Sequence, residues 1–208
     1  MDSRPIRERL GLAKPGKSHR PTEWAKWNPG LDNDTRLLGS IYRTLPTHEF
    51  TSYPAIVLLL ENPKSPIALK GKCDLLTHDL IHILLGRGLF VQDEAFVIGY
   101  TMGTSRAIGG FEKELFKRCA HRIYPPKYRF TRNDLMVYDF GFAAGQANRI
   151  EIFNIRLGDM LERPVGDIRR DLTIDTDLLR RFYAIERSLF QTKASARLLQ
   201  ETHDDAGL

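Results

Sequence analysis

His78, Asp79 and His82, followed after eleven residues by Glu94, place two imidazoles and two carboxylates within one of the most apolar stretches of the chain. On a helix, His78 and His82 stand one turn apart on the same face, because positions i and i+4 are neighbours. Asp79 lies about 100° round from His78 at ~3.6 residues per turn. The surrounding residues Leu75, Leu76, Leu80, Ile81, Ile83, Leu84 and Leu85 make this helix apolar over most of its circumference, which predicts a core element. Ionisable groups buried there cost free energy unless something satisfies them. A divalent metal would do so, and nitrogen and oxygen ligands from two facing helices suit zinc, with iron as the alternative.

Glu94 has a route to the histidines. Gly86-Arg87-Gly88 has the composition of a helix C-cap followed by a tight turn. A second apolar helix is expected over residues 90–104, with Glu94 on one stripe with Val91, Val97, Ile98 and Thr101. The two helices read as a central antiparallel pair carrying the metal ligands His78, Asp79, His82 and Glu94. Each residue alone has a plainer account. A single histidine on an apolar helix is commonly a satisfied core residue, Asp79 could pair with Arg87, and Glu94 beside Asp93 could favour the positive end of a helix dipole. Four ligand-type residues converging on one helix pair point to a metal site.

The array H-D-x-x-H-(x)11-E resembles the metal motif of the coenzyme Q biosynthesis protein 4 family, helical proteins of ubiquinone synthesis. Two further blocks are similar to that family. Phe140-Gly141-Phe142-Ala143-Ala144-Gly145-Gln146-Ala147 is similar to its aromatic-Gly-x-x-x-Gly helix, and Met160-Leu161-Glu162-Arg163-Pro164-Val165-Gly166-Asp167-Ile168-Arg169-Arg170-Asp171-Leu172 to its P-L-x-x-(V/L)-R-x-x-L ending. The resemblance spans about residues 36–175; Phe140 and Gly158 stand where the family pattern has tryptophan. It implies a metal-bearing, prenyl-lipid-binding protein involved in replacing the ring carboxyl of a polyprenylated quinone precursor by hydroxyl. A prenyl-lipid tunnel beside the helix pair and other quinone-biosynthesis proteins as partners would go with that. A non-catalytic prenyl-lipid carrier or scaffold, its metal purely structural, would need the same ligands and the same apolar cavity.

The 208 residues suit one domain, and a hydrophobic fraction of 42% is that of an ordinary globular chain. No apolar run approaches the ~20 residues a membrane span needs, and nothing near the N-terminus resembles a signal peptide. Two cysteines, Cys73 and Cys119, make no disulfide framework and fit a reduced, cytoplasmic setting. Cys73, five residues before His78, is open as an extra ligand or as a packed thiol. The net charge of +5 is uneven: residues 1–27 hold seven basic against three acidic residues, a net +4. The near-neutral body argues against a nucleic-acid face. The leader, residues 1–29, reads as a basic, partly disordered arm that can meet an anionic membrane surface peripherally, with Trp24 and Trp27 as its anchors. A homo-oligomer is left open.

Beyond the leader, residues 30–208 read as an all-α domain of about seven helices. Asp32-Asn33-Asp34 offers a helix start before Leu37, Leu38, Ile41, Tyr42 and Leu45, and Pro54 suits the first turn of a helix reaching Leu60. A surface helix is expected over residues 111–122, ended by Pro125-Pro126. Thr131 and Asp134 form a capping-box pattern opening a helix to about Ala147. A final helix over 177–201 would place Leu178, Leu179, Phe182, Ile185, Leu189 and Leu198 along one side. Gly11-Leu12-Ala13-Lys14-Pro15-Gly16-Lys17-Ser18 matches the P-loop pattern in letters, yet lacks the buried strand before it and the uninterrupted helix after it. Asp139-Phe140-Gly141 has no accompanying kinase elements. A metal-dependent hydrolase of the His-Asp type is the remaining enzyme class; it would need further ligands such as His48, His121 and Asp139.

Overall fold

The structure, a computed structural model, describes residues 25–46 and 75–199. Eight α-helices lie within them: α1 (Leu38–Tyr42), α2 (Leu75–Leu85), α3 (Val91–Gly103), α4 (Gly110–Arg122), α5 (Arg132–Ala147), α6 (Val165–Asp171), α7 (Thr176–Leu189) and α8 (Lys193–Ala196). Short 3-10 turns connect them at Pro126–Tyr128, Ile152–Asn154 and Leu157–Met160. No strand occurs among the described residues, so the described part of the chain is all-α. The expected helix ending at Leu60, Cys73, His48 and the P-loop look-alike lie outside the described residues.

Helix α3 is the spine of the core, and its closest packing is with α5. A Cβ placed on Gly99 would sit 2.2 Å from the Tyr138 carbonyl oxygen, and one on Gly103 would sit 2.2 Å from that of Phe142. The relation is mutual: Gly141 meets the Phe96 carbonyl and Gly145 the Tyr100 carbonyl at the same distance. Contacts advance four residues along both helices together, so α3 and α5 run parallel with their backbones touching through two Gly-x-x-x-Gly patterns. Only glycine permits that approach, since any side chain would overlap a backbone oxygen. The sequence expectation gave α3 to α2 as its packing neighbour. In the structure α2 meets the beginning of α3, where Glu94 is, while α5 takes its length.

Local signals placed several helix ends. Thr131 and Asp134 exchange the two bonds of a capping box: the Thr131 N–H donates to Asp134 Oδ2 at 2.7 Å and the Asp134 N–H to Thr131 Oγ1 at 3.3 Å. Gly86 stops α2 in the left-handed region at φ +66°. The Arg87 N–H then reaches the His82 carbonyl at 2.9 Å and the Gly86 N–H that of Ile83 at 3.1 Å, a Schellman closure.

Two expectations are corrected. Helix α1 begins at Leu38 rather than at Asp32-Asn33-Asp34, because residues 34–35 form a turn and Leu37 is extended and bridged to Pro164. The Leu38 N–H donates to Arg163 O and the Val165 N–H to Arg36 O, which satisfies those groups without a helical turn. The last helix breaks after Leu189: Phe190 is extended and buried, and Thr192 caps the separate helix α8. The inward face of α7 is Leu179, Tyr183 and Glu186, while Ile185 and Leu189 are exposed.

Trp27 is buried, its indole N–H donating to Thr44 Oγ1 at 3.0 Å, so the described end of the leader is docked on the body.

Candidate metal centre

Helix α2 presents His78 and His82 on one face, their rings 4.8 Å apart and steeply inclined at 67°. Glu94, in the first turn of α3, faces both. Its Oε2 lies 3.3 Å from His78 Nε2 and its Oε1 lies 3.4 Å from His82 Nε2. One ligand atom from each of these residues falls within 4.8 Å of the other two. Three of the four expected ligands therefore converge. Asp79 stands apart from that triangle: its Oδ1 is 3.9 Å from the other ring nitrogen of His78, Nδ1, too far for a hydrogen bond.

The donor set fits a divalent cation on three counts. His82 is wholly buried, and its Nδ1 lies 2.8 Å from the Gly88 carbonyl oxygen. A carbonyl can only accept, so Nδ1 carries the hydrogen and Nε2 presents its other face to Glu94. That is how metal-binding histidines are commonly oriented. Second, buried His82 Nε2 and Glu94 Oε2 make no hydrogen bond, a costly arrangement that an ion between them would relieve. Third, burial pushes the Glu94 carboxyl up, but the positive charge that His82 and then His78 carry when protonated outweighs it and holds the carboxyl well below the ordinary carboxylate range. A divalent ion would supply that positive charge to neutral rings. Glu94 is thus an anion facing two imidazoles.

Behind this triangle lies a buried ionic cluster that pattern reading missed. The fully buried Arg87 guanidinium is gripped by Glu186 of α7, with Nη1 to Oε1 at 3.0 Å and Nη2 to Oε2 at 2.5 Å. It is stacked 4.0 Å from the Phe96 ring centroid and 4.2 Å from that of Tyr183. Asp93 Oδ1 lies 3.6 Å from Arg87 Nη1, and Asp93 Oδ2 accepts from Arg197 Nη2 at 3.1 Å. Arg87 therefore pairs with Glu186 and Asp93, not with Asp79. A charge between two glycines inside an apolar stretch was a readable signal at Arg87; nothing in the sequence pointed to Glu186 as its partner.

Arg169, within the block from Met160 to Leu172, is also buried. It donates to the α2 carbonyls of Leu84 at 2.9 Å and Ile83 at 3.4 Å, and to Leu31 O at 2.7 Å. It thereby satisfies the C-terminal end of the helix that carries the histidines. Of the extra ligands expected of a His-Asp hydrolase, the two that are described, His121 and Asp139, do not join the site. His121 Nδ1 is engaged with Phe130 O at 2.7 Å, and Asp139 is paired with Lys113 at 2.8 Å and Lys117 at 2.7 Å. The Cys119 thiol is buried and not disulfide-bonded, its pKa pushed up by burial.

Comparison of the chain with protein-family models, with curated proteins and with solved structures gives no match. The site thus defines a class by its chemistry: a helical protein whose His78, His82 and Glu94 group could hold a metal ion. No helix among the described residues is long and apolar enough to cross a membrane.

Proposed function

We propose that this chain is a metalloprotein that holds one divalent ion, zinc or iron, on His78, His82 and Glu94, and acts on a prenylated quinone precursor. The observation that carries the metal reading is the buried His82 ring, anchored at Nδ1 by Gly88 and bare of hydrogen bonds at Nε2 opposite Glu94. Three ligands among the described residues are the number that catalytic sites use, which leave a position open. The substrate class rests on the resemblance of H-D-x-x-H-(x)11-E, of the Gly-x-x-x-Gly helix and of the Arg169 block to the ubiquinone-synthesis family.

A bound divalent ion would supply Lewis acidity for the charge that develops on a phenolic ring oxygen. The residues of the chain do the rest. His78 and His82 donate neutral nitrogen ligands, Glu94 contributes the negative charge that favours a cation, and the apolar flanks of α2 and α3 limit water around the group. Elemental analysis of the purified protein should find about one zinc or iron per chain, and His78→Ala/His82→Ala should lose it. Equal metal in the two proteins would refute the assignment.

A further inference from the structure

The loop joining α2 to α3 does more than reverse the chain. We infer that Gly88 is the positioning residue of His82, and that Arg197 and Asp93 hold the Gly88 carbonyl where it fixes the ring. The inference rests on the metal reading for its consequence, and on geometry alone for its mechanism.

His82 is tied to this loop twice. Its carbonyl accepts from the Arg87 N–H at 2.9 Å, and its Nδ1 engages the Gly88 carbonyl at 2.8 Å. Gly88 in turn is enclosed by polar groups. A Cβ there would lie 2.6 Å from Arg197 Nη2, 2.9 Å from the Trp27 carbonyl oxygen and 3.0 Å from Asp93 Oδ2. The enclosure is cross-braced. Arg197 Nη1 donates to Ala25 O at 2.8 Å and Trp27 O at 3.3 Å, and Nη2 donates to Asp93 Oδ2 at 3.1 Å. Its guanidinium carbon stands 4.3 Å from the Phe90 ring centroid, and the same Asp93 oxygen accepts the Phe90 N–H at 3.0 Å. Segments from both ends of the described chain thus close on the five residues between α2 and α3.

The chemical consequence follows from the two nitrogens of imidazole. An acceptor held against Nδ1 keeps the hydrogen there, so Nε2 is the atom offered to a ligand, and it also fixes the ring plane. Partners of this kind typically govern metal affinity by ~10–100-fold when removed. Asp93 adjoins the ligand Glu94, so one carboxylate braces the loop while its neighbour faces the ion. Arg197 thereby couples the ordering of the segment after α8, and of residues 25–27, to the metal site.

The test has two arms on the full-length protein. The first is long-range proton–nitrogen NMR of the metal-free wild type in mildly alkaline buffer. It should show a His82 Nδ1 hydrogen protected from solvent exchange; a ring protonated at Nε2 alone would overturn the inference. The second is zinc affinity by chelator competition in Arg197→Gln. It should fall ~10–100-fold, with faster exchange at His82 Nδ1. Unchanged affinity and exchange would overturn the inference. Should that variant not fold, Asp93→Asn keeps the acceptor for Phe90 while removing the charge that holds Arg197, and the same two readouts apply. If the wild type takes up no zinc or iron, the metal reading fails, while the NMR arm still decides the positioning role.

Discussion

Glu186→Leu tests the ionic cluster behind the site. Arg87 and Glu186 have no exposed side-chain surface and are joined by two hydrogen bonds, while Gln92 Nε2 donates a third to Glu186 Oε1 at 2.6 Å. Leucine keeps much of the volume and removes all three acceptor contacts. Arg87 would remain buried with one nearby anion, Asp93, at 3.6 Å, and that carboxylate is shared with Arg197. Removing one partner of a buried pair costs about 3–5 kcal/mol, because a desolvated charge is left uncompensated. The Phe96 and Tyr183 rings on either side of the guanidinium cushion part of this, which favours the lower end. At roughly 2–4 °C per kcal/mol for a chain of this size, the melting midpoint should drop by about 6–20 °C. Thermal and urea unfolding followed by circular dichroism would measure it. The double variant Arg87→Met/Glu186→Leu should recover most of the loss, since neither charge is then buried. A single-variant loss below about 1 kcal/mol, the range of an exposed pair, would refute the reasoning.

Two further predictions concern the triangle itself. Asp79→Asn should retain full metal content, because Asp79 stands at the other nitrogen of His78 and outside the group of three; loss comparable to that of His82→Ala would make it a fourth ligand. Glu94→Gln is nearly isosteric and should leave the protein folded. If the ion does chemistry, turnover of a ring-carboxylated prenyl substrate should vanish. If it is structural, the melting midpoint should fall instead, since binding energy at such a site is folding energy. A stable variant that still supports quinone synthesis would leave Glu94 without a role in either scheme.

Much of this protein is written locally. The helix carrying His78 and His82 follows from their i, i+4 spacing among leucines and isoleucines, and its end follows from Gly86, which tolerates φ +66°. The start of α5 is set by Thr131 and Asp134, whose side chains reach only three residues along the chain. The meeting of Glu94 with both histidines was also readable, because one short turn joins the two helices.

What lies across the fold was not readable, for physical reasons that differ from case to case. Gly99, Gly103, Gly141 and Gly145 state that a backbone can come close, but not which one; the choice of α5 over α2 needed complementary glycines about 40 residues away. On α7 the hydrophobic stripe predicted Ile185 inward, yet Glu186 is buried, because the nearest compensation for Arg87 lies 99 residues away. Asp79, adjacent to His78 and equal to Glu94 as a ligand type, differs from it only in direction: the turn of α2 carries it to the wrong side of the ring. And Gly88, a turn residue in one dimension, acquires its carbonyl's role only when Arg197, Asp93 and Trp27 close on it from three parts of the chain. Residue types and short-range spacing determine which groups can bind an ion. Long-range packing decides which of them face one another, because burial of a charge is tolerable only where the tertiary structure brings its partner.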